Sequence, residues 1–131
     1  MRWSTGIILL VDGNDSVRKK VTEALAVTDY IILHATTPQE AVSVLSCLRH
    51  TVDLVVIDME SLDETGLSMF GLLTTSGRRK ASKIIVNTSR QDEPFLGQIC
   101  CLVDAILLKP TSEQLVGTVR AVLSGSPKSL C

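Results

Sequence analysis

Asp12 follows the apolar run GIILLV, Asp58 closes VDLVVID, Thr88 closes SKIIVNT, and Lys109 follows AILL ahead of Pro110. Two carboxylates, a hydroxyl and an ammonium thus stand at the ends of four apolar runs. A carboxylate able to act as nucleophile, a cation beside it and a hydroxyl donor make a site for a phosphoryl group. Acids at the mouth of a strand also suit a metal ion, yet Asp12 is followed directly by Gly13. Each residue has a plainer use. An aspartate at a strand end forms turns or caps helices, a lysine there is usually solvated, and threonine favours strands. The coincidence of compatible groups at successive run ends carries the chemical reading.

The elements that would position these groups alternate along the chain. Strands are expected at 6–11, 30–35, 52–58, 82–88 and 104–110, the first being apolar without alternation, as in a strand covered on both faces. A helix follows each. The first carries Val17, Val21, Ala24 and Leu25 on one stripe, with Asp15 or Ser16 as cap. The second has Thr37 as cap, Pro38 in its first turn, and a stripe of Ala41, Val42, Leu45 and Leu48. A third lies in LSMFGLLTTS, and a weaker fourth, holding Gly97, near DEPFLGQICCL. The last has Ser112 as cap, with Leu115, Val119 and Val122 facing inward. Five such βα units predict an α/β domain: a doubly wound, flavodoxin-like five-stranded parallel sheet in a three-layer sandwich. Ligands of such sheets bind beyond the carboxyl ends of the strands, where the four groups stand. The domain is expected to span 1–124, with 125–131 a flexible tail.

Composition narrows the partners. The chain has 131 residues, a net charge of −1 and 3% aromatic residues, which gives no case for nucleic acid or an anionic membrane as a bulk partner. No apolar run approaches the roughly 18 residues of a membrane span, and the N-terminal run ends in acids, reading as a strand and not a signal peptide. Cys47, Cys100, Cys101 and Cys131 lack CxxC spacing, which fits reduced thiols in a cytoplasmic protein, with Cys100 and Cys101 as packing residues.

At this point the chain resembles the response-regulator receiver domains of two-component signalling. DLVVIDMESLDETGL is similar to that family's phosphoacceptor strand and loop, AILLKP to its Lys-Pro strand end, VDGNDSVR to its acidic first loop, and IIVNTS to the strand with its switch hydroxyl. The resemblance implies that Asp58 is the phosphoacceptor, served by a sensor histidine kinase, a phosphotransfer protein or a small phosphodonor. It implies that Asp12, Asp58 and the main-chain carbonyl of Glu60 hold Mg²⁺, and that Thr88 and Lys109 bond phosphoryl oxygens. Ser89 would leave access to the acceptor. The output would leave through the face of the fourth helix, fifth strand and fifth helix, towards an output domain, a partner protein or a second copy in a homodimer.

The sequence departs from the family pattern in the metal and switch positions. The family's second acid is Gly13, which implies weakened Mg²⁺ binding, with Asn14 and Asp15 as the candidates to substitute. The proline of the acceptor loop is Leu62, the acid before Gly66 is Thr65, and the aromatic switch residue is Ile106. Retention of Asp58, Thr88 and Lys109 favours an atypical receiver that is phosphorylated, not itself an enzyme beyond assisting its own phosphotransfer and dephosphorylation. The alternative is a phosphorylation-independent interaction module. Enzymes of the same fold are disfavoured. No GxGxxG follows the first strand, no GxxxxGK[ST] occurs, and DGNDSV is too acidic for a flavin phosphate. An aspartyl phosphatase would use Glu60 as acid/base but would also want a cap domain. Arg78, Arg79, Lys80 and Lys83 read as a solvated helix end and loop, so direct DNA binding is not expected.

Overall fold

A computed structural model of the chain describes residues 6–26, 29–47, 52–58, 81–88, 97, 103–108 and 111–124. Within them run β1 (Ile7–Val11), α1 (Asp15–Leu25), β2 (Ile31–Ala35), α2 (Pro38–Cys47), β3 (Val52–Asp58), β4 (Ala81–Thr88), β5 (Ala105–Leu108) and α3 (Ser112–Leu123). Helix α3 is the fifth helix of the sequence reading. The expected third helix lies outside the described residues; of the fourth, only Gly97 is described, and it is helical and exposed.

The strands form one parallel sheet in the order β2-β1-β3-β4-β5. Chain order reverses between β1 and β3, and this is where a doubly wound sheet opens a crevice. The pleat sends alternate residues to opposite faces, and each face has its own core. Leu9, Val11, Val55, Ile57, Ile84, Val86 and Ile106 pack with Ala41 and Leu45 of α2. Ile8, Leu10, Leu54, Val56, Ile85 and Ala105 pack with Val21 and Leu25 of α1 and with Leu115, Val119 and Val122 of α3. The apolar runs lack alternation because both faces are covered.

Two aspartates near the amino-terminal edge of the sheet tie neighbouring strands. Asp53 Oδ2 accepts from the Ile7 amide at 2.7 Å, and Asp104 Oδ2 from the Ile84 amide at 2.7 Å. Gly6 lies under the Tyr30 ring, where a Cβ would collide with it.

The helix starts correct the sequence reading in two places. The Arg18 amide donates to the Asn14 carbonyl at 3.0 Å, so Asn14 and not Asp15 or Ser16 is the half-in residue of α1. Thr111 and not Ser112 caps α3: its backbone is extended, its hydroxyl accepts from the Gln114 amide, and the Gln114 side chain accepts from the Thr111 amide. Thr37 caps α2 as expected, its hydroxyl accepting from the Glu40 amide at 3.0 Å.

Candidate functional site

Strand pairing decides which side chains meet at the carboxyl rim. Val11 is in register with Ile57, so Asp12 and Asp58, the next residue on each strand, reach the rim side by side. Asp58 is in turn paired with Asn87 of β4. Asp12, Asp58, Asn87 and Arg18 line one small cavity with Leu10 and Leu115 among its apolar floor and walls. It offers about 10 Å³ to the centre of a water-sized sphere, near the least that admits a water molecule.

Asp12 is 7% exposed and has several tasks. Its amide donates to the Ala35 carbonyl at 3.0 Å. Its Oδ1 accepts from the Asn14 amide at 2.8 Å, and its carbonyl accepts from Arg18 Nη1 at 3.0 Å. It is therefore a turn former as well as a wall of the cavity. Arg18 Nη2 is paired with Asp15, whose side chain is well exposed. Neither Asp15 nor Asn14 lines the cavity.

Thr88 is buried at the end of β4, in register with Leu108, one residue beyond Asn87 on the same rim. Ile106, expected in the switch position, is buried and in register with Val86, within the core on the α2 side. Glu60, Ser89, Lys109, Cys100 and Cys101 lie outside the described residues.

The family model of the response regulator receiver domain matches residues 8–120 of this chain. The chain belongs to the response regulator receiver family. No curated protein matches it by sequence. Among solved structures, it is similar to the chemotaxis response regulator CheY4 of Vibrio cholerae, with 21% identity, 91% of this chain and 99% of that chain covered, and a TM-score of 0.77. It is also similar to a response regulator from Thermotoga maritima at 22% identity, with 92% and 99% covered and a TM-score of 0.74. The phosphorylated cyanobacterial phytochrome response regulator RcpA matches at 16% identity, with 98% and 100% covered and a TM-score of 0.80. At these identities the structural likenesses carry the fold, and they agree with the expected flavodoxin-like architecture.

Receiver chemistry as the family resemblance implies it needs an oxygen-lined place for Mg²⁺. Carboxylate and amide oxygens are the hard donors that this ion takes, and Asp12, Asp58 and Asn87 bring such donors to one cavity. The donor set thus fits the ion. It is lean in charge, for among the described residues no three His, Cys, Asp or Glu side chains gather at one point.

Asn87 and Arg18 were missed by sequence reasoning as members of the site. Asn87 interrupts the apolar strand IIVNT two residues after Ile85, hence on the Ile85 face. That polar interruption was the available signal. Asn87 Oδ1 is buried with no hydrogen-bond partner, alone in this among the described side-chain polar atoms. An orphaned buried acceptor costs about 1–3 kcal/mol, which asks for an explanation.

Among the described residues no helix is long and apolar enough to cross a membrane.

Proposed function

We propose that this chain is a phosphoacceptor receiver domain in which Asp58 takes a phosphoryl group from a sensor histidine kinase or phosphotransfer protein. A carboxylate oxygen of Asp58 bonds to phosphorus as the phosphorus–nitrogen bond of the donor phosphohistidine breaks, and the freed imidazole nitrogen takes a proton. Mg²⁺ held by Asp12, Asp58 and the Glu60 carbonyl would neutralise charge on the phosphoryl oxygens. Thr88 and Lys109 bond those oxygens. Thr88 moves with its loop towards the phosphoryl group, and the face that includes β5 and α3 carries the altered population to an output domain or protein partner. In this reading the chain is a signalling phosphoacceptor, assisting its own phosphotransfer and dephosphorylation, and no enzyme on other substrates.

The observation that carries the reading is the meeting of Asp12 and Asp58 in one cavity at the strand-order reversal of a receiver-family sheet. Intact mass after incubation with acetyl phosphate, with and without Mg²⁺, tests it. A single phosphoryl adduct is expected in the parent and none in Asp58→Asn. Gly13→Asp should form the adduct faster, since it restores the missing carboxylate. An absence of adduct in both the parent and Gly13→Asp would replace this reading with that of a phosphorylation-independent interaction module.

A further inference from the structure

We infer that the side-chain oxygen of Asn87 is a direct ligand of the divalent cation, in place of the carboxylate that Gly13 cannot supply. The inference rests on the Mg²⁺-dependent reading proposed above and names a ligand which that reading does not include.

The oxygen is buried and has no protein partner, and its side chain lines the same cavity as Asp12 and Asp58. Ionised carboxylates only accept hydrogen bonds, as does an amide oxygen, so these three groups cannot satisfy one another through their oxygens. A cation held with the two carboxylates gives Asn87 Oδ1 the partner that it lacks. Arg18, the cationic side chain in the wall, has Nη1 on the Asp12 carbonyl and Nη2 on Asp15.

The residues that the sequence offered as substitutes are placed elsewhere. Asp15 pairs with Arg18 on the exposed side of α1, and Asn14 gives its amide to Asp12. Asn87, by contrast, is held by strand register beside Asp58. Adjacent strands lie about 4.8 Å apart, so backbone pairing fixes the two side chains as neighbours before any ion arrives. A neutral oxygen donor completes coordination but adds no negative charge. The site should therefore bind divalent ions more weakly than one with a third carboxylate.

Binding of Mn²⁺ to the full chain, followed by the electron spin resonance of the free ion, tests the assignment. Water relaxation counts the waters on the bound ion. Asn87→Val is expected to weaken binding about tenfold or more, the scale on which a metal site loses affinity when its support is removed. It should add one inner-sphere water and raise the melting temperature of the metal-free protein. Asn87→Asp should tighten binding. A structural asparagine would give the opposite melting result and an unchanged water count.

If Asn87→Val binds Mn²⁺ within about twofold of the parent while Asp12→Ala loses it, the Asn87 assignment is wrong and the metal reading stands. If neither the parent nor Gly13→Asp binds Mn²⁺, the metal reading fails and takes the assignment with it. Should Asn87→Val not fold, Asn87→Asp decides: tighter binding supports the assignment and unchanged binding overturns it.

Discussion

At Asp12 two demands meet on one side chain: Oδ1 holds the turn through the Asn14 amide, while the carboxylate also faces the cavity shared with Asp58. Asp12 was legible in the sequence because it closes an apolar run. Asn87 was only half legible: the polar break in its apolar strand is visible, but its place beside Asp58 depends on the β3–β4 register. His34 illustrates a different effect of context. It stands exposed on β2, and its pKa is lowered from 6.5 by partial desolvation first and by the Arg18 charge second. The folded protein therefore resists protonation where the unfolded chain accepts it. Stability should fall as pH drops through about 6.5 and level off once folded His34 is also protonated. Urea unfolding from pH 8 to 5 should show a shallower decline in His34→Gln than in the parent, and an NMR titration of the imidazole should give a midpoint below that of free histidine.

Among the elements, α3 has the best-defined start. Thr111 and Gln114 satisfy each other's backbone amides, and a capping threonine is worth about 1 kcal/mol. Thr111→Ala should lose about that much in chemical denaturation. The sequence reading places the cap at Ser112 because both neighbours have side chains that cap well; the structure decides for Thr111 because its backbone is the extended one. The strands were easier. Continuous apolar runs bounded by polar residues give β3 at the expected 52–58 and the other described strands within a residue or two. What periodicity left open was the acid of each strand's beginning. Asp53 and Asp104 each accept the amide of a neighbouring strand, a role that depends on strand pairing and not on local periodicity.

For the molecule as a whole, the two cores on opposite faces hold β1, β3 and β4 in the middle, with β2 and β5 at the margins. A parallel sheet covered on both faces was legible from the βα alternation, and the structure gives its doubly wound order. The family match over residues 8–120 agrees with that plan. Which face transmits a signal, by contrast, is a property of two populations and not of one chain fold. Thr88, which moves in the proposed function, ends β4, and Ile106, at the position of the family's switch aromatic, lies on β5, while Asp12 follows β1 and Asp58 ends β3.

The position of the acid pair in the sheet has a consequence for how time enters its chemistry. Strands β1 and β3 are interior and mutually paired, while β5, of four residues, is joined among the described residues only to β4. Amides of paired interior strands exchange with solvent only when the whole domain opens, whereas those of a short edge strand exchange through smaller openings. Hydrogen exchange should therefore find the slowest amides at Leu9–Val11 and Val55–Ile57 and measurably faster ones at Ile106–Leu108. The acids would then keep a fixed spacing over periods in which the margin beside Thr88 opens and closes many times.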